Sequence, residues 1–259
     1  MTTTTDERHI PLAGTFNLRD VGGYATAAGA TVRWRTLFRA DSLHRLPAEA
    51  QEALLARGVR TVIDLRHAGE LAVAPHVLAA APGIAYRHQS LFGDGRDMAL
   101  AGGDLAALYR AVIDRRGAEI AAVFGLLAAP GALPAVVHCT AGKDRTGLIV
   151  ALALGVAGVP AATIAEDYAL TARYLVAEFW AEARVRAEAG GQDWATYQQL
   201  LICPPELLLD TLTYLDERHG GVVPYLLAQG VTAEQLATLR AALLDTGATD
   251  VATDTKGTR

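Results

Sequence analysis

Five residues, Thr140-Ala141-Gly142-Lys143-Asp144, separate Cys139 from Arg145. A thiol and a guanidinium at that spacing suit nucleophilic displacement at phosphorus. The small residues Thr140, Ala141 and Gly142 let a loop curl until successive backbone N–H groups face inward. Such a nest, opening into a helix N-terminus, binds anions. The helix terminus and the Arg145 cation both favour the Cys139 thiolate, which is the nucleophilic form. Arg145 can hold two phosphoryl oxygens with its planar fork, a geometry that lysine cannot supply. Asp144 is the nearest acid for the leaving oxygen and the nearest base for water afterwards. Lys143 adds a point charge at the rim for a second anionic group, and Thr146 is placed to hydrogen-bond the sulfur and help it leave. The expected chemistry is hydrolysis of a phosphate monoester through a phosphorylated cysteine. Cys139, Asp144 and Arg145 act on the reacting atoms, while Thr140, Ala141, Gly142, Lys143 and Arg145 hold the phosphate.

Other readings of the same residues fare worse. A nucleotide-binding P-loop needs a glycine where Val137 stands and Ser or Thr where Asp144 follows the lysine. An inert buried cysteine leaves the glycine, lysine, aspartate and arginine of the next six positions unexplained. A phosphate-binding protein without turnover is disfavoured because all three reacting residues are present. The substrate remains open between a phosphoprotein and a small phosphate ester such as a nucleotide, sugar or inositide phosphate, because the loop reads only the phosphoryl group.

The loop needs a strand before it and a helix after it, since α/β folds bind ligands beyond the carboxyl ends of strands. Residues 133–138 supply an apolar strand and residues 146–157 a buried helix. The β-branched run at 59–65 predicts a second buried strand, as in a parallel sheet. Weaker strands are expected at 84–88 and within 32–39, and residues 17–24 read as loop. Helices are expected at 47–57, 104–115, 118–128, 161–172, 175–189, 205–218, 222–229 and 233–244, with Thr232 and Gln235 as a capping box for the last. The fold class is therefore α/β: a mostly parallel central sheet flanked by helices, with a helical C-terminal part. One domain spans residues 1–259, with loose ends at 1–13 and 246–259.

Asp64 and Arg66 end the 59–65 strand on the sheet edge expected to carry Cys139. Asp64 either pairs with Lys143 or Arg145 and orients it, or forms a strand-end ion pair that fixes a loop. Arg39 and Asp41 are expected to brace the 17–24 loop, and His138 to steady the phosphate loop as a hydrogen-bonded structural histidine. Cys203 reads as a packed core cysteine, with a reversible bond to Cys139 as the redox alternative.

A formal net charge of −5 and the lack of a basic run exclude polymeric nucleic acid as a general partner. Of 23 basic residues 21 are arginine, so Lys143, one of two lysines, is an unlikely piece of generic surface charge. Residues 148–159 form the longest apolar run, too short to span a bilayer. Two cysteines do not make a disulfide framework, and the first residues lack a secretory leader. The expected setting is cytoplasmic, with export by a leaderless route compatible. No His/Cys/Asp cluster has metal-ligand spacing, so metal-independent catalysis without a cofactor is expected.

His138-Cys139-x5-Arg145-Thr146 is the signature loop of the Cys-x5-Arg phosphatase superfamily. With NLRDVGGY at 17–24, LFRADSL at 37–43, VIDLR at 62–66 plus Glu70, and AGKD at 141–144, the chain resembles the atypical bacterial protein tyrosine phosphatase family. That family takes in mycobacterial PtpB-like and Listeria LipA-like enzymes. Asp167-Tyr168 and Tyr225-Leu226 extend the resemblance over most of the chain. It implies a tyrosine-phosphatase-like fold, Cys139 as nucleophile, Arg145 as phosphate binder and the loop aspartate, Asp144, as acid. It also implies dual-specificity substrates among phosphotyrosine, phosphoserine, phosphothreonine and phosphoinositides, Lys143 matching a lysine of lipid phosphatases. A helical lid would map to residues 171–201. The chain departs from the family at Leu18, where phenylalanine is common, and in its alanine-rich lid segment.

Overall fold

The computed structural model describes residues 5–92 and 104–245. Helix α1 (Thr5–Arg8) precedes strand β1 (Arg19–Asp20), and β2 (Leu37–Ala40) leads through α2 (Ala48–Leu55) to β3 (Thr61–Asp64). Then come α3 (Ala68–Val73), β4 (Ala85–His88), α4 (Leu105–Arg115), α5 (Gly117–Leu127) and β5 (Ala135–His138). Beyond β5 the elements are helical: α6 (Asp144–Ala157), α7 (Ala161–Tyr174), α8 (Ala177–Ala189), α9 (Trp194–Gln199), α10 (Pro205–His219), α11 (Val222–Ala228) and α12 (Ala233–Leu243).

Among the described residues the strands form one sheet in the order β1-β2-β5-β3-β4. Only β1 runs antiparallel to its neighbour. The fold is the mixed α/β architecture expected, with β5 at its centre. Period-2 alternation divides the strand residues between two cores. Leu37, Ile63, Ala135 and Val137 join the larger one with α4 to α7 and α10 to α12. Phe38, Ala40, Val62 and Val136 face a smaller one built on α2, Ile10 and Leu18.

The long apolar run is the buried helix α6, in which every residue from Arg145 to Leu154 is buried. Among the described residues no helix is long and apolar enough to cross a membrane. Two expectations need correction. The described part of the N-terminal end is not frayed: Arg8 is buried, bonds to the carbonyls of Asp20 and Gly22, and stacks on Tyr24 and Trp34, while Ile10 enters a core. The 17–24 loop contains β1, because Arg19 and Asp20 pair with Arg39 and Phe38. The expected loose end at 246–259 lies outside the described residues. Within residues 171–201, Thr171 to Tyr174 belong to α7, and α8 with α9 form a helical pair joined by a turn at Gly190-Gly191.

Candidate active site

β5 delivers His138 at its carboxyl end, and the chain bends through residues 140–143 before α6 begins at Asp144. Cys139 is buried with 2% exposure. The loop's carbonyls are turned outward and tied. Thr140 O accepts from Ser42 N (3.1 Å), Ala141 O from Asn17 Nδ2 (2.9 Å), and Gly142 O from Asn17 Nδ2 (3.2 Å) and Arg39 Nη2 (2.8 Å). In a planar trans peptide the next N–H points opposite to the carbonyl. With these carbonyls tied to Ser42, Asn17 and Arg39, the N–H groups of Ala141, Gly142 and Lys143 point to the other side of their peptide planes. Gly142 is required there: its φ is +66°, and a Cβ would stand 2.4 Å from the carbonyl oxygen of Ala40.

Arg145, in the first turn of α6, gives a fork-to-fork pair with Glu70 of α3, Nη1 to Oε2 at 2.6 Å and Nη2 to Oε1 at 2.8 Å. The Thr140 hydroxyl donates to Glu70 Oε1 as well. Burial works against the Arg145 cation, but Glu70's hydrogen bonds and the neighbouring Cys139 raise its pKa above the ordinary arginine value. Burial likewise works against the Glu70 carboxylate, yet Arg145 and Thr140 hold its pKa down at about 2. Glu70 was quoted in the sequence only as part of a motif. Its signal was the His67-x-x-Glu70 spacing, which forms a capping box on α3 and fixes the carboxylate.

Asp144 Oδ1 accepts from the Tyr109 hydroxyl at 2.6 Å and lies 3.1 Å from Lys143 Nζ. The Tyr109 oxygen also meets that of Tyr168 at 2.9 Å. Burial, and then the Asp144 charge, push Tyr109 well above its ordinary pKa, so it stays a donor. Helical periodicity reads Tyr109 as one more apolar-face residue, and nothing in the spacing marks its hydroxyl.

Two expected placements are corrected, and for Asp64 the second of two alternatives is the one found. Lys143 is not at the rim: it is fully buried, with Nζ donating to Leu200 O beneath α9. Thr146 Oγ1 is buried and makes no hydrogen bond, to Cys139 or to any other described residue. Asp64 pairs with neither Lys143 nor Arg145. It takes Arg66 in a fork (Nε to Oδ1 3.0 Å, Nη2 to Oδ2 2.7 Å) and accepts the Tyr86 hydroxyl at 3.1 Å. Only two residues separate Asp64 from Arg66, so the local pair wins and fixes the strand end.

His138 is fully buried, with Nδ1 3.3 Å from the carbonyl of Cys139. Burial lowers its pKa to about 4, against the pull of Asp64. Asp64, His76 and His138 bring ligand-type atoms within 4.8 Å of one another. Their chemistry fits a metal poorly. Arg66 already neutralises Asp64, and His76 Nδ1 accepts Leu78 N–H at 3.0 Å, which leaves the ring proton on Nε2 and no free lone pair on a neutral His76 ring. Arg39 and Asp41 brace, as expected: Arg39 binds Gly142 O and Asp167, and Asp41 accepts the N–H groups of Phe16 and Asn17. Cys203 is a buried free thiol whose pKa burial lifts to about 11.

With this geometry in place, relatives can be weighed. The pattern of the tyrosine phosphatase family matches residues 10–245. The chain belongs to that family. It is 32% identical to a tyrosine-protein phosphatase of Nostoc commune over 81% of its own length and 74% of the relative's. It is also 32% identical to the triple specificity protein phosphatase PtpB of Mycobacterium tuberculosis, over 61% of its length and 67% of the relative's. The family match makes the chain a tyrosine-phosphatase-type phosphatase, an enzyme acting on phosphorylated substrates.

Proposed function

We propose that Cys139 attacks the phosphoryl group of a phosphoprotein, forming a cysteinyl-phosphate that water then hydrolyses. The observation that carries this reading is the single loop between β5 and α6. It carries a buried thiol, a run of loop N–H groups opposite the tied carbonyls, and a guanidinium held by Glu70, the groups that this chemistry needs. In this reading Glu70 holds one edge of the Arg145 guanidinium, and the N–H groups left over, on Nε and the adjacent Nη, receive two phosphoryl oxygens. Tyr109 and Lys143 occupy Asp144 Oδ1, which leaves Oδ2 to carry the proton given to the leaving oxygen and later taken from water. Thr140, Ala141, Gly142 and Lys143 contribute backbone. The Lys143 ammonium serves Asp144 and Leu200 rather than the substrate. Protein substrates are favoured by the names of the two relatives above, both protein phosphatases. A reducing, cytoplasmic setting suits a nucleophile that must stay a free thiol.

The test is Cys139→Ser assayed on phosphotyrosine peptide and p-nitrophenyl phosphate. Peptide should still bind, with turnover falling at least about 10⁴-fold. Rapid quenching of wild type with ³²P-labelled substrate should trap label on Cys139. Retained turnover in the variant, or label on another residue, refutes the mechanism.

A further inference from the structure

A cavity of about 330 Å³ opens beside the phosphate loop, and Thr140 and Glu70 line it together with Arg45, Phe179, Glu182 and Arg186. It is therefore continuous with the residues that hold Arg145. Its far wall is charged in an unbalanced way. Glu182 on α8 pairs through Oε1 with Arg45, from the loop after β2, and lies 3.9 Å through Oε2 from Arg186, one turn along α8. Two guanidinium groups thus share one carboxylate, leaving one surplus positive charge. Both cations are partly exposed, at 35% and 45% of the side chain. Each also lies over an aromatic ring, Arg45 over Phe16 (5.3 Å) and Arg186 over Phe179 (5.9 Å), and the two rings pack edge to face. Two other carboxylates line the cavity: Glu70 is spent on Arg145 and Thr140, and the buried Asp41 on the N–H groups of Phe16 and Asn17.

We infer that Arg45 and Arg186 form a second anion subsite, so that this phosphatase selects phosphate esters carrying a further carboxylate or phosphoryl group beyond the scissile one. The inference rests on the catalytic reading above and deepens it. The substrate's second anion competes with Glu182 for the two guanidinium groups, and the aromatic pair limits how far they swing. A solvent-exposed pair is cheap to break, because water and counter-ions already screen it. A substrate anion replacing Glu182 therefore pays little to enter. Lys143, whose charge the sequence would assign to this task, is buried elsewhere, and the arginines take its place.

The net charge of the trio orders three proteins: two in Glu182→Gln, one in wild type, none in Arg45→Gln. Selectivity is read as the kcat/KM ratio for a phosphotyrosine peptide with a neighbouring Glu over its Gln counterpart. In a second arm it is the ratio for a sugar bisphosphate over the sugar monophosphate. The peptide arm reports a carboxylate from a protein, and the bisphosphate arm a phosphoryl group on a small molecule. The ratio should rise about two- to fivefold in Glu182→Gln and fall by a similar factor in Arg45→Gln, mainly through KM, in at least one arm. Raising salt from 50 to 500 mM should shrink the differences. A ratio near one in wild type, or the same ratio in all three proteins in both arms, overturns the subsite. Turnover of p-nitrophenyl phosphate by wild type separates this failure from failure of the catalytic reading, because it tests the latter alone.

Discussion

The floor of the site and its cover are built by opposite means. The floor is β5 with α6, wedged into the largest core and clamped by Asp167, a fully buried carboxylate shared by Arg19 (3.3 Å), Arg39 (2.6 Å) and the Tyr24 hydroxyl (3.0 Å). The cover is α8 with α9. Its buried core is Leu175, Phe179, Ala183 and Leu201, packed on Phe16 and Ala141 of the loop, with polar ties at Lys143–Leu200 and Arg45–Glu182. The floor is fixed by interactions costly to break, and the cover by interactions that exchange partners cheaply. A site that must hold a transition state yet admit and release a substrate needs both.

The strongest challenge to this contrast is Asp167→Asn. Removing the carboxylate charge strands two buried guanidinium groups, and urea unfolding should show a loss of about 3–5 kcal/mol. A loss under 1 kcal/mol would mean that the clamp does not carry the floor.

Acid gives the next largest effect, and it should strike the floor. Burial lowers His138 to about 4 and His76 to about 3, against about 6.5 in an unfolded chain. As pH falls from 6.5 toward 4 the unfolded chain binds more protons at these sites, so stability declines. Asp41 runs the other way: burial raises it to about 6, so its contribution is present at low pH and lost as pH rises through 6. Glu70 and Asp167, both held at about 2, contribute above roughly pH 4 and lose that contribution only below it. Two histidines against one aspartate leave a net loss on the order of 2–3 kcal/mol between pH 7 and 4.5. Denaturation across that range checks it, and His76→Phe should flatten the decline.

The smallest effect belongs to the cover. Phe179→Ala should cost about 1–2 kcal/mol of docking, seen as faster amide exchange confined to residues 177–199. Equal loss of protection in β5 and α6 would show that cover and floor open as one.

Most of what positions the site was legible because it is local in sequence. The apolar runs at 59–65 and 133–138 have one structural use, and the turn from His138 to Arg145 carries its own small residues and cation. The charge pairings were not legible. Glu70 stands 75 positions from Arg145, and Asp167 stands 128 from Arg39. Composition cannot say which of 21 arginines meets which carboxylate. Lys143 was misplaced for a related reason: its rarity signalled a specific task, but the direction of its side chain depends on where α9 ends.

The sheet order has a consequence for how the protein is made. β5 is inserted between β2 and β3, so Leu37 and Thr61 both pair with Ala135 and their strands join the sheet ladder through it. A ribosome delivering the chain from its N-terminus releases two strands of the sheet long before the third that joins them. Until residue 138 has emerged, the apolar edges of β2 and β3 lie open, and the protein depends on not aggregating during that interval. The cysteine that completes the site follows directly on the strand that closes the sheet.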